Sequence, residues 1–111
     1  MAIAHAAPGE IVDVQPLGSR LCEARNVALF KTAELEVIRL VMPAGKSMPS
    51  HWVKGEVILH CLEGEIGLTA GGKTRPMKAG QLAWLEGGVD HALLAVQDSS
   101  LLLTIVLRKP G

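Results

Sequence analysis

From Val27 onward the chain is punctuated at short, regular intervals. Apolar stretches of five to eight residues alternate with turn signals rich in glycine. The stretches are Val27–Lys31, Leu35–Met42, Glu56–Leu62, Glu65–Ala70, Lys73–Met77, Gln81–Leu85, His91–Gln97 and Leu101–Leu107. Pro43-Ala44-Gly45 stops the second, and Gly71-Gly72 makes a hairpin turn between the fourth and fifth. Short strands at this spacing, without a convincing amphipathic helix, predict an all-β sandwich or barrel.

Residues 1–26 read differently, as an N-terminal arm broken by Pro8-Gly9 and Pro16-Leu17-Gly18. The arm holds one candidate strand, Glu10–Val14, and one candidate helical turn within Leu17–Arg25. Residues 27–111 form the barrel. A chain of 111 residues is one ordinary domain, large enough to bury a core without staples. With 49% apolar and 20% charged residues it is not a disordered chain.

Eleven basic residues balance eleven acidic ones, so the surface lacks the positive field that nucleic acid or an anionic membrane demands. The longest apolar runs, Ala92–Val96 and Leu101–Leu107, are too short to span a bilayer as helices. Met1 to Pro8 carries no basic region and no long apolar segment, so it does not read as a secretory signal. The expectation is a cytoplasmic protein. Cys22 and Cys61 then read as two buried, reduced thiols, since no Cys-x-x-Cys supports a redox role.

A strand with one wet face should alternate apolar and polar residues. Val37–Met42 and Leu101–Leu107 hardly alternate, so both of their faces should be covered. One face lines the barrel. The other needs a second layer, which predicts a homodimer, with the arm crossing to the partner. The plainer alternative is a monomer whose arm folds over its own sheet.

Two segments carry the chemistry. The first runs from Gly45 through His51, Val53, Gly55, Glu56, Val57 and His60 to Gly64. The second runs from Gly80 through Glu86 and Gly88 to His91. Together they resemble the two motifs of the cupin superfamily: Gly, five residues, His-x-His, three or four residues, Glu, six residues, Gly; and Gly, five residues, Pro-x-Gly, two residues, His. Five residues separate Gly45 from His51, five separate Gly80 from Glu86 (where the family has Pro), and two separate Gly88 from His91. The resemblance covers about Leu35 to Leu107. It implies a single cupin domain: an RmlC-like jelly roll, or double-stranded β-barrel, preceded by the arm.

In that family the motifs supply three histidines and a glutamate to a metal such as Fe, Mn, Ni or Zn. Here His51 and His91 stand at two of the four positions, and Val53 and Val57 stand at the others. Valine has no lone pair to donate. Strand parity turns Glu56 and His60 away from the cavity. Cys61 has the inward parity but lies ~13 Å along the strand from the ligand position. Glu56 joins a metal site only if a bulge at Gly55 turns it inward.

Three readings follow. The first is a metal-poor cupin that binds a small molecule in its barrel. His51 and His91 are then the polar contacts, Val53, Val57 and Leu59 the apolar wall, and Met48 lies in the loop at the cavity mouth. The second is a metal-dependent oxygenase or isomerase whose ligand set is completed by Glu56 or by substrate. The third is a structural or regulatory dimer with no small ligand. Trp52 and Trp84 read as packing residues, with Trp52 on the face opposite His51. Ser99 and Ser100 read as a turn after Asp98. No Ser-His-Asp context and no phosphate-binding glycine loop appear.

Overall fold

Antiparallel strands send alternate side chains to opposite faces, and two sheets that each have one apolar face close on each other. A computed structural model of the chain, describing residues 5–107, has this form. Its strands are β1 (Val27–Lys31), β2 (Leu35–Met42), β3 (Ser47–His51), β4 (Val57–Glu63), β5 (Glu65–Ala70), β6 (Lys73–Lys78), β7 (Leu82–Leu85), β8 (His91–Ala95) and β9 (Ser99–Val106). One sheet has the order β1-β2-β9-β4-β7, the other β3-β8-β5-β6. The pairings are antiparallel throughout. The expected all-β jelly roll is the observed architecture.

The core is the slab between the sheets. Leu40 and Met42 from β2, Val57, Leu59 and Cys61 from β4, and Leu101 and Leu103 from β9 face it from one side. Ile66, Leu68, Met77, Leu93 and Ala95 face it from the other. Burying a side chain of this size stabilises by about 1.5–3 kcal/mol, so the slab is the main source of stability.

Four local expectations are corrected. Ser47–His51, read as a loop, is an edge strand, so Met48 is a strand residue paired opposite Leu93. Pro49 is tolerated there because an edge strand has a free N–H side. Glu10–Val14 is not a strand: it has no ladder partner, and Ile11 is 98% exposed. Ser99 and Ser100 begin β9 instead of forming a turn, and both are fully buried. Cys22 is exposed, while Cys61 is buried; both thiols are free. The helical turn does form, as a 3₁₀ turn over Gly18–Glu23 with Leu21 buried.

The arm lies on the outer face of the five-stranded sheet. Arg39 and Ser100 are buried beneath it, at 8% and 0% exposure. Such burial needs partners. The Arg39 guanidinium donates to the Gln15 carbonyl and lies 3.7 Å from the Glu63 carboxylate. Glu63 in turn accepts the amides of Leu17 (2.9 Å) and Gly18 (3.0 Å) and the Ser100 hydroxyl. Burial alone would raise the Glu63 carboxyl. These hydrogen bonds and the Arg39 cation outweigh it and hold the group below its ordinary value.

A carboxyl with a depressed folded-state pKa stabilises the fold above its unfolded value and loses that contribution as pH falls. Glu63→Gln should therefore destabilise the protein by about 2 kcal/mol at neutral pH. The gap between wild type and variant should close as pH drops below about 4.5, the ordinary value for this group. Thermal melts across pH 7 to 3 check this. A gap that stays constant or widens on acidification would contradict the latch.

Candidate functional site

Two backbone contacts set the site. His51 ends β3 and His91 begins β8, and the two are Cα partners across that ladder. The loops that flank them are pinned together. The Gly88 N–H donates to the Val53 carbonyl at 2.8 Å. Gly87 lies so close to Lys54 that a Cβ there would fall 2.1 Å from the Lys54 carbonyl oxygen. Only glycine allows that approach. Gly88 has φ of +83°, the left-handed region that glycine enters freely.

The outcome is a pair of imidazoles with centroids 4.4 Å apart and planes tilted by 56°. His91 is buried, at 4% exposure, and His51 is exposed. Each ring uses Nδ1 in the same way. His51 Nδ1 bonds the Pro49 carbonyl at 3.3 Å, and His91 Nδ1 bonds the Val89 carbonyl at 3.1 Å. A carbonyl can only accept, so Nδ1 carries the hydrogen in both rings. In the neutral form this leaves both Nε2 atoms as acceptors.

The other residues expected at the site fall in three groups. Val53 is half-buried and packs against the core beside the histidines. Met48, on β3, does the same. Val57 and Leu59 are core residues at 2% and 0% exposure, the packed floor of the barrel. Glu56 turns away: its carboxylate accepts a hydrogen bond from the Trp84 indole at 2.9 Å, and Trp84 is a 60% exposed residue opposite Ile58. His60, half-buried, shares the outer face with Leu82 and Leu102. Cys61 is enclosed in the core, where burial pushes its thiol up. Trp52 is 56% exposed.

This donor set does not fit a resident metal. First-row ions in N/O sites take at least three protein ligands in most catalytic centres. Here the two imidazoles have valines at the neighbouring positions and no carboxylate beside them. Among the described residues no group of three His, Cys, Asp or Glu side chains could hold an ion.

A cavity of about 560 Å³ opens between β6 and β7, an edge strand of each sheet. Its floor includes Leu68, Ala70, Met77 and Leu85, and its polar rim includes Lys73 and Arg75. Neither histidine lines it, but strand register sets it in line with them. Lys73, Ala70, His91 and His51 form one row across the four-stranded sheet. Arg75, Leu68, Leu93 and Met48 form the next. The two cations escape notice in the sequence because a basic pair two residues apart reads as a solvated strand face. The available signal was parity: Lys73 and Arg75 alternate in step with Met77, which is a core residue.

The fold and these motifs have known counterparts. A family model described as Cupin domain matches residues 38–107. A conserved protein of unknown function from Streptococcus pyogenes is similar in structure, with a TM-score of 0.76, 19% identity, and coverage of 99% of this chain and 97% of that one. A cupin superfamily protein from Desulfitobacterium hafniense gives a TM-score of 0.77 at 16% identity, covering 93% of this chain and all of that one. A predicted oxalate decarboxylase from Thermotoga maritima gives 0.64 at 26% identity, covering 75% and 79%. No curated protein matches the chain in sequence. With the motif histidines in place, the jelly roll closed and most of the barrel matched by the family model, the chain belongs to the cupin family.

Proposed function

We propose that this cupin binds a small organic molecule on the inner face of its four-stranded sheet, with His51 and His91 as the polar contacts. The observation that carries the reading is the histidine pair. Two rings 4.4 Å apart, each with Nδ1 on a backbone carbonyl, keep Nε2 for a ligand, and in the neutral form Nε2 accepts. Such a pair is matched by a ligand hydroxyl or another O–H or N–H donor. An apolar floor with a few polar groups and a cavity of about 560 Å³ are the usual form of a small-molecule site. Val53 and Met48 supply apolar contact beside the rings. The metal-dependent alternative is disfavoured by the valines at positions 53 and 57 and by the outward carboxylate of Glu56.

The test is fragment screening by ligand-observed NMR on untagged protein, with His51→Ala/His91→Ala as control. Expected are hits carrying a hydroxyl or amide donor that lose binding in the control, and a metal content well below one ion per chain. Hits indifferent to the double variant, no hits, or a stoichiometric ion lost in the control would contradict the reading.

We further propose that a second copy of the chain covers the outer face of the five-stranded sheet. The arm covers that face only around Arg39, Val41 and Ser100. Beyond it Leu35, Ile58, Leu82, Trp84 and Val106 are 37–68% exposed on adjacent strands. A flat apolar face on a chain of zero net charge suits a self-complementary two-fold contact. Light scattering should give twice the chain mass at micromolar concentration, and Leu82→Glu should halve it. A wild-type monomer would overturn the dimer.

A further inference from the structure

The cations at the rim of the β6–β7 cavity are exposed on β6, an edge strand that charge also guards against pairing. Lys73 and Arg75 have the parity of the core-facing residues, opposite Ala70 and Leu68 in the ladder with β5. Thr74 and Pro76 take the outward positions between them and Met77. Among the described residues the one ion pair is that of Arg39 with Glu63, so neither rim cation has a carboxylate partner. The chain has as many acidic as basic residues, yet no acidic residue lines this cavity. Gln81 supplies an uncharged amide there.

Resting on the reading of the histidine pair as a ligand site, we propose that its ligand is a small carboxylic acid: the carboxylate lies between Lys73 and Arg75, and the hydrocarbon body runs over Ala70 and Leu68 toward His91. The geometry sets the size. Lys73 and His91 sit on strands two apart in one register row, so their Cα atoms are about 10 Å apart. Ala70, between them, is a methyl-bearing step that leaves the path open. A chain of about six carbons spans it, at an estimated ~1.25 Å per carbon along an extended chain between side chains that reach inward. Arg75 supplies the planar fork that matches a carboxylate, and Lys73 a point charge beside it. The apolar floor selects an organic acid over a bare inorganic anion. The acceptor pair at the far end favours a terminal hydroxyl, which makes an ω-hydroxy acid the best match.

Isothermal titration calorimetry reports occupancy, since the Trp84 side chain lies on the outer face. The probes are 6-hydroxyhexanoate, hexanoate, 1,6-hexanediol and inorganic phosphate, titrated at moderate salt. The expected order of affinity is hydroxyhexanoate, then hexanoate, then diol, with phosphate weakest. Lys73→Met/Arg75→Met should weaken both carboxylates about tenfold or more and leave the diol unchanged. Both positions are exposed, so the double variant should keep its melting temperature. His51→Ala/His91→Ala should weaken the hydroxy acid and the diol but not hexanoate. If the carboxylates depend on the cations but nothing depends on the histidines, the anion site stands and the histidine reading fails. If the hydroxyl probes depend on the histidines and the cation variant changes nothing, the histidine reading stands and the carboxylate proposal falls. Phosphate binding as well as hexanoate, or no binding of either acid, overturns the proposal as well.

Discussion

Side-chain parity on the β3-β8-β5-β6 sheet governs what this barrel presents to a ligand. A register shift in β3 between Met48 and His51 brings His51 opposite His91, and the regular β8–β5–β6 ladders continue that row through Ala70 to Lys73. A one-residue slip of β8 would send His91 to the outer face and break the row. The register is held from both ends. The Gly88 to Val53 hydrogen bond and the close approach of Gly87 to Lys54 tie together the loops that flank the histidines. On the other side the β5–β8 and β5–β6 ladders run unbroken through Ala70. The imidazole pair is thus a product of backbone geometry, and the core packing under it keeps that geometry fixed.

The same parity keeps the neighbouring carboxylate and thiol away from the imidazole pair. Val53 and Val57 stand where the family places donors, and both pack against the core. The nearest spare carboxylate, Glu56, is one residue out of phase and faces Trp84 on the far side of the sheet. Cys61 has the right phase but lies deep among core residues. With valines at those two positions, the imidazoles are the polar groups of the motif, and each has Nδ1 on a backbone carbonyl. Lys73 and Arg75 bring charge at the rim, one sheet width away.

Most strands were legible because glycine-rich turns interrupt apolar runs, and a run such as Leu35–Met42 is short, rich in β-branched residues and stopped by Pro43 and Gly45. Strand β3 was not, since Ser47–His51 offers one inward apolar side chain and contains Pro49. Glu10–Val14 was misleading for the opposite reason: it has apolar residues but no neighbouring strand to pair with. Parity alone placed Glu56 and His60 outward and Cys61 inward, as found. Pairing of the histidines followed from the motif spacing. The cavity between β6 and β7 was hidden because it depends on which strands are sheet edges, a property of topology that no local pattern encodes. The Arg39–Glu63–Ser100 latch was hidden likewise, as its members come from three strands and the arm.

The central claim is that the two imidazoles share one spot as metal-free acceptors. Long-range ¹H–¹⁵N correlation spectra of the histidine rings test it most directly. The account predicts that the neutral rings of His51 and His91 both carry their hydrogen on Nδ1, with Nε2 unprotonated and unmetallated, and that nuclear Overhauser contacts link the two rings. A hydrogen on Nε2 in either ring, the shift signature of metal coordination, or an absence of inter-ring contacts would contradict it.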